Sequence, residues 1–191
     1  MTMINPSLEK FPAESAIIGL LVTGYGELDI TLCHLAGIAL GERLVMMDAL
    51  VSIENEGTRL DLISKLVRHL MVKLEYGNEF GEAIGAMRYC KGVRNQYAHA
   101  QWSEQDGQLF FAKASEIKYS ENGYSDLSKR KGITLSLLQE QAAYFSYTRS
   151  NLVALEYNLM RAELDLPLTT PRQTIAFPAH MTKPPKHIPA S

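Results

Sequence analysis

Apolar side chains recur at helical spacing through most of this chain. Ile17, Leu20, Leu21, Leu28, Leu32, Leu35 and Ile38 follow one such repeat. Pro12 precedes it, and proline is well tolerated in a first helical turn. A long first helix is therefore expected, over an apolar stretch from Ala16 to Leu40. Gly19, Gly24, Gly26 and Gly37 lie inside it. Each costs up to about 1 kcal/mol relative to alanine, so they imply close helix packing or a kink. Leu44 to Ile53 predicts a shorter helix, closed by Glu54-Asn55-Glu56-Gly57.

Thr58-Arg59-Leu60-Asp61 has the form of a helix start, a hydroxyl cap with an acid three residues on. That helix is expected to run to about Glu75, with Leu62, Leu66, His69/Leu70 and Lys73/Leu74 on one stripe. Tyr76-Gly77-Asn78 signals a stop and a new cap. The next helix, about Glu79 to His99, carries Phe80, Ala83/Ile84, Met87, Cys90 and Val93/Tyr97 on its apolar face.

After Trp102 the period changes. Asp106-Gly107 is a turn signal. Gln108 to Ile117 and the region from Tyr119 to Leu127 predict a small β-hairpin or irregular flap. Thr134 or Ser136 then caps a last long helix, with Ser136-Leu137-Leu138-Gln139 as a capping box, ending near Leu164. The fold expected is all-α: an antiparallel bundle of about five helices over residues 1–166, with the hairpin inserted before the last helix. Residues 167–191 hold six of the eight prolines, with Arg172, Lys183 and Lys186 and no acid. They predict an extended, flexible, basic tail, either a plain terminus or an arm that touches a partner.

Composition narrows the class. Of the 191 residues, 46% are hydrophobic and 21% charged, enough to bury a core without a metal or disulfide. The net charge of -2 gives the whole chain no signature of a nucleic-acid binder, so any RNA contact must be a local patch. Cys33 and Cys90 lie in apolar helical patterns and read as buried thiols of a reducing compartment. No cluster has zinc-ligand spacing. Met1 to Lys10 lacks the plan of a secretory signal. The Ala16–Leu40 stretch is interrupted by Thr23, Glu27, Asp29, Thr31 and His34, which favours a core helix over a membrane span. A cytoplasmic protein is expected, with no membrane association and no cofactor.

The chemistry gathers in Arg94-Asn95-Gln96-Tyr97-Ala98-His99. Residues four apart share a helix face, so Asn95 and His99 are neighbours. Arg94 lies about 100° round from Asn95 and about 140° from His99. Arg94 and His99 can meet only through the arginine's length, a helix end between them, or a second subunit. A guanidinium holds a phosphate by a bidentate fork, an imidazole moves protons near neutral pH, and an amide orients either. With a ribose 2′-hydroxyl as nucleophile, these groups suffice for RNA cleavage without a metal: His99 moves a proton, Arg94 stabilises the phosphorane, and a 2′,3′-cyclic phosphate results. The plainer alternative is a polar helix end that caps carbonyls.

Val93-Arg94-Asn95-Gln96-Tyr97-Ala98-His99-Ala100-Gln101-Trp102 resembles the signature of the HEPN superfamily (higher eukaryotes and prokaryotes nucleotide-binding), an "RN-x-x-A-H" pattern near a helix end. Arg, Asn and His match position for position. Ala100 replaces the glycine often found after the histidine, and Trp102 resembles uncharacterised bacterial members. The order of helices also fits, over roughly Ala16 to Leu164, though only the ten-residue motif is specific. The resemblance implies a helical bundle that forms a homodimer, with two motifs facing each other in one composite cleft. It implies a toxin–antitoxin or defence ribonuclease, with Arg94, Asn95 and His99 catalytic and with an antitoxin or nucleotidyltransferase as further partner. It equally allows a non-catalytic dimerisation module that binds RNA or protein.

Supporting residues are also expected. Glu27, on the first long helix with Asp29, can orient Arg94 or His99, or be an ordinary surface acid. Tyr97 and Trp102 can stack on a base, or belong to the core and the following turn. Arg88, Lys91 and Arg94 stand three apart and line one basic ridge that can track a phosphate backbone.

Overall fold

The computed structural model describes residues 5–113, 117, 130–163 and 175–188. Along the chain they form α1 (Pro6–Glu9), α2 (Pro12–Ala39), α3 (Arg43–Val51), α4 (Glu56–Lys73), α5 (Gly77–Ala98), β1 (Ala100–Gln105), β2 (Gln108–Lys113), β3 (Lys131–Ile133) and α6 (Leu135–Glu163). The protein is mainly helical, with one antiparallel sheet of order β1-β2-β3. Its contacts divide it into two compact units. One holds the described residues up to Gly24, Cys90–Phe145 and those from Thr182. The other holds Tyr25–Tyr89 and the described part of Ser146–Met181.

In the unit that begins at Tyr25, the α2 stripe Tyr25, Leu28, Leu32 and Leu35 is buried. α4 starts at Glu56, two residues before Thr58, because Asn55 is the cap. Its side-chain oxygen accepts from Gly57 N (2.9 Å) and Thr58 N (3.0 Å), so the hydroxyl cap expected at Thr58 is corrected. The packed face of α4 is Leu60, Ile63, Val67 and Met71. The expected stripe is also corrected: Leu62 and Leu66 are exposed. The helix carries apolar residues on two faces, and tertiary packing takes the one with β-branched Ile63 and Val67. α4 ends in a Schellman motif, in which Tyr76 N donates to Met71 O (2.8 Å) and Glu75 N to Val72 O (3.1 Å). Glu75, at φ 66°, takes the left-handed position, so the stop precedes Gly77, where α5 already begins. Among the glycines of α2, Gly37 makes the close approach: a β-carbon there would lie 3.0 Å from the Arg43 backbone, whereas Gly19, Gly24 and Gly26 face open space.

In the other unit, Asp106 (φ 52°) and Gly107 (φ 72°) form the two-residue turn between β1 and β2. Both central residues take the left-handed region that a type I′ hairpin requires. The hairpin therefore lies earlier than expected. β2 starts at Gln108 as predicted, but its partner is Ala100–Gln105, in the register Trp102↔Phe111, and β3 adds on the other side through Phe110↔Gly132. The expected second limb, 119–127, lies outside the described residues. Thr134 caps α6, its hydroxyl accepting from Leu137 N at 3.3 Å.

The tail from 175 to 188 has no helix, as expected, but it is tied down. Asn158 brackets Ile175 with two hydrogen bonds, 3.0 and 3.2 Å, and Phe177 packs on Tyr76. His180 Nδ1 lies 2.5 Å from Glu82 Oε1, and Tyr147 also donates to that oxygen. In the unit with the sheet, Ile188 N donates to Gly132 O at 3.0 Å. Residues 167–174 and 189–191 lie outside the described residues. α2 is long and apolar enough to cross a membrane by length and composition. Here it serves as a core helix on its buried face, and Asp29 on that face is ion-paired with Arg59.

Candidate functional site

The α5 apolar face fixes where the motif points. Phe80, Ala83, Ile84, Met87, Cys90, Val93 and Tyr97 are all buried, as their spacing predicts. Arg94 and Asn95 consequently sit at the boundary, half-buried, and His99 is exposed. α5 ends at Ala98 and β1 begins at Ala100, so His99 occupies the turn between them. A helix end between Arg94 and His99 is one of the three ways in which the two can approach. Arg94 Nη1 donates to Asn95 Oδ1 at 2.8 Å, so the amide holds the guanidinium from the neighbouring position.

The other expected residues are divided between the two units. Tyr97 is 3% exposed. Its ring lies 5.7 Å from Trp102 and 5.5 Å from Phe111, and Trp102 lies 5.6 Å from Phe111. This aromatic trio joins α5 to the sheet, and Tyr97 is a core residue rather than a base-stacking platform. Trp102 is half-buried on β1. Arg88 donates to Asp61 at 2.9 Å, in the unit that does not contain the motif, so its guanidinium is engaged as a surface ion pair. Lys91 is half-buried on α5. Glu27 is exposed and also belongs to the unit without the motif. Its neighbour Asp29 is the buried acid of that helix, paired with Arg59.

Two glutamines escaped the sequence reading. Gln96, inside the motif, is 4% exposed and Gln141 on α6 is 0% exposed. Gln96 Nε2 donates to Lys186 O at 2.7 Å. Gln141 Nε2 donates to Pro185 O (2.9 Å) and Lys186 O (3.2 Å), while Gln141 Oε1 accepts from the Tyr97 hydroxyl at 2.6 Å. A buried amide must find such partners. The available signal was a polar residue on an apolar stripe, since Gln141 sits among Leu137, Leu138, Tyr144 and Phe145, all buried.

Comparison with known protein families, curated proteins and solved structures returns no match. Among the described residues, no group of three or more His, Cys, Asp or Glu is arranged to hold a metal ion. The groups on hand near the end of α5 are a guanidinium, an amide and an accessible imidazole.

Two buried groups, Tyr97 in one unit and Cys33 in the other, set an expected pH dependence of stability. Burial pushes the Tyr97 hydroxyl from 10.0 up to about 12, opposed by its hydrogen bonding with Gln96 and Gln141. Burial, with the Asp29 charge, likewise pushes the Cys33 thiol from 9.0 up to about 11, opposed by Arg59. Both groups are neutral when protonated, and both have folded values above their unfolded ones. Their stabilisation is complete below about pH 9 and is lost as pH rises towards 12. Denaturant midpoints should fall steeply between pH 9 and 11, and Tyr97→Phe should flatten the upper part of that fall. Equal midpoints at pH 8 and 11 would contradict this assignment.

Proposed function

We propose that the protein is a HEPN-type, metal-independent endoribonuclease that cleaves RNA through its own 2′-hydroxyl. The observation that carries this reading is His99, exposed at the end of α5, one helical turn from an Arg94–Asn95 pair. In the reaction, the 2′-oxygen gives its proton to the neutral imidazole of His99 and bonds to phosphorus. The bond from phosphorus to the 5′-oxygen breaks, and that oxygen takes a proton from an imidazolium. In a homodimer, His99 of a second copy supplies that proton. Arg94 neutralises the charge that builds on the phosphoryl oxygens, held in place by Asn95. The setting that follows is cytoplasmic, in a toxin or defence system, with an antitoxin or nucleotidyltransferase as further partner.

The hydrogen bond from Arg94 to Asn95 also favours a second reading, a non-catalytic module that binds RNA or protein through the same surface. End-group analysis separates the two. Incubation with RNA in EDTA should give 2′,3′-cyclic phosphate and 5′-hydroxyl ends. Products with 5′-phosphate ends would contradict the mechanism, and binding without any cleavage would favour the second reading.

A further inference from the structure

We propose that Lys186, delivered by the C-terminal segment, is a phosphate-binding residue of the RNA site; this rests on the ribonuclease reading above. The segment is anchored through its backbone. The Lys186 carbonyl accepts from Gln96 (2.7 Å) and Gln141 (3.2 Å), and the Pro185 carbonyl accepts from Gln141 (2.9 Å). Ile188 N donates to Gly132 O at 3.0 Å, closing an antiparallel bridge to β3. With the main chain held on both sides, the Lys186 side chain is exposed and lies across α5 at Gly92. A β-carbon at position 92 would stand 2.5 Å from the Lys186 ammonium nitrogen. The absence of a side chain at Gly92 is thus what allows the ammonium to lie against the helix.

Helix geometry places this cation beside the motif. Gly92 and Gln96 lie about 60° and 100° from Asn95 on one flank, and Lys91 and Arg94 lie about 40° and 100° away on the other. Asn95 therefore stands between two cationic flanks, at the end of the helix that leads to His99. A phosphodiester backbone is the polyanion that such a pair of flanks suits, because each neutralised phosphate releases counterions. An ammonium acts here as a point charge and needs no bidentate geometry. Of the expected basic ridge, Arg88 makes a surface ion pair with Asp61, and Lys186 adds a cation beside the motif.

The test uses the full chain in a His99→Ala background, so that RNA is bound without being cut. Affinity for a labelled single-stranded RNA of about twenty nucleotides is measured by anisotropy across a salt series. Lys186→Gln should weaken binding several-fold and lower the slope of log affinity against log salt by about 0.7–1. Lys186→Arg should restore both, and Gly92→Ala, which displaces the ammonium, should reproduce part of the loss. The anchoring bonds run to the Lys186 backbone, so Lys186→Gln should keep the parent melting temperature. RNA binding by His99→Ala with the same affinity and slope when Lys186 is Gln overturns this inference and leaves the ribonuclease reading intact. No RNA binding by either the parent or His99→Ala overturns both.

Discussion

Replacing Asp29 with alanine is expected to cost about 3–5 kcal/mol of stability, the range for breaking a buried ion pair. Asp29 and Arg59 are 7% and 8% exposed. Arg59 Nε donates to Asp29 Oδ1 at 3.3 Å and Nη2 donates to Oδ2. Its remaining nitrogen, Nη1, faces the end of α3, donating to Ile53 O at 2.5 Å, with Leu50 O and Val51 O at 3.4 and 3.5 Å. One guanidinium thus meets a carboxylate and donates to the carbonyls at and just after the end of α3. Without Asp29, a charged group stays buried with only neutral acceptors. Arg59→Met is also destabilising, because it strands the Asp29 carboxylate and removes the donor that Ile53 O accepts from at 2.5 Å. The double variant Asp29→Ala/Arg59→Met should cost clearly less than the two single changes together, since neither charge is then stranded. Denaturant unfolding of the four proteins measures this coupling. A loss below about 1 kcal/mol for Asp29→Ala would show that the pair is not stabilising the fold.

This pair illustrates what could be read from the sequence. Asp29 was visible as an acid breaking an apolar helix, and Arg59 as part of a helix start. Their pairing joins positions thirty residues apart, and no local pattern encodes it. The face of α5 was legible because Phe80, Ala83, Ile84, Met87, Cys90, Val93 and Tyr97 recur at helical spacing, and all are buried. The face of α4 was not, because Leu62 and Leu66 compete with Ile63 and Val67, and only tertiary packing chooses between them. Asp106-Gly107 was legible because its turn needs two left-handed residues. β1 was not: Ala-Gln-Trp-Ser-Glu-Gln has little strand character of its own and exists through its pairing with β2. In the site, Arg94, Asn95 and His99 stood out by residue type and spacing. The role of Gln96 did not, since its acceptor lies ninety residues away in a proline-rich tail. That tail read as flexible because proline and basic residues cannot build a core of their own. Held by Asn158, Gln96 and Gln141, its described part needs none.

The second large effect concerns His99. If its imidazole moves a proton in the transition state, its removal should slow cleavage by about 10²–10⁴-fold, the usual contribution of general acid–base catalysis. Its exposed position in the turn after α5 makes His99→Ala a small structural change, so the variant should melt with the parent. Arg94→Ala should lose activity on a comparable scale, because electrostatic stabilisation of a phosphorane is commonly the largest single contribution. Asn95→Ala should lose less, as it frees the guanidinium from the 2.8 Å bond that holds it without removing its charge.

The most direct measurement is cleavage of a mixed-sequence RNA in EDTA by the parent and by His99→Ala, each confirmed folded by its melting curve. Metal-independent cleavage by the parent, with a loss of at least about a hundredfold in the variant, is the predicted result. Equal cleavage by the two proteins, or none by the parent on any RNA tested, would contradict the assignment of His99 as the proton-transfer group.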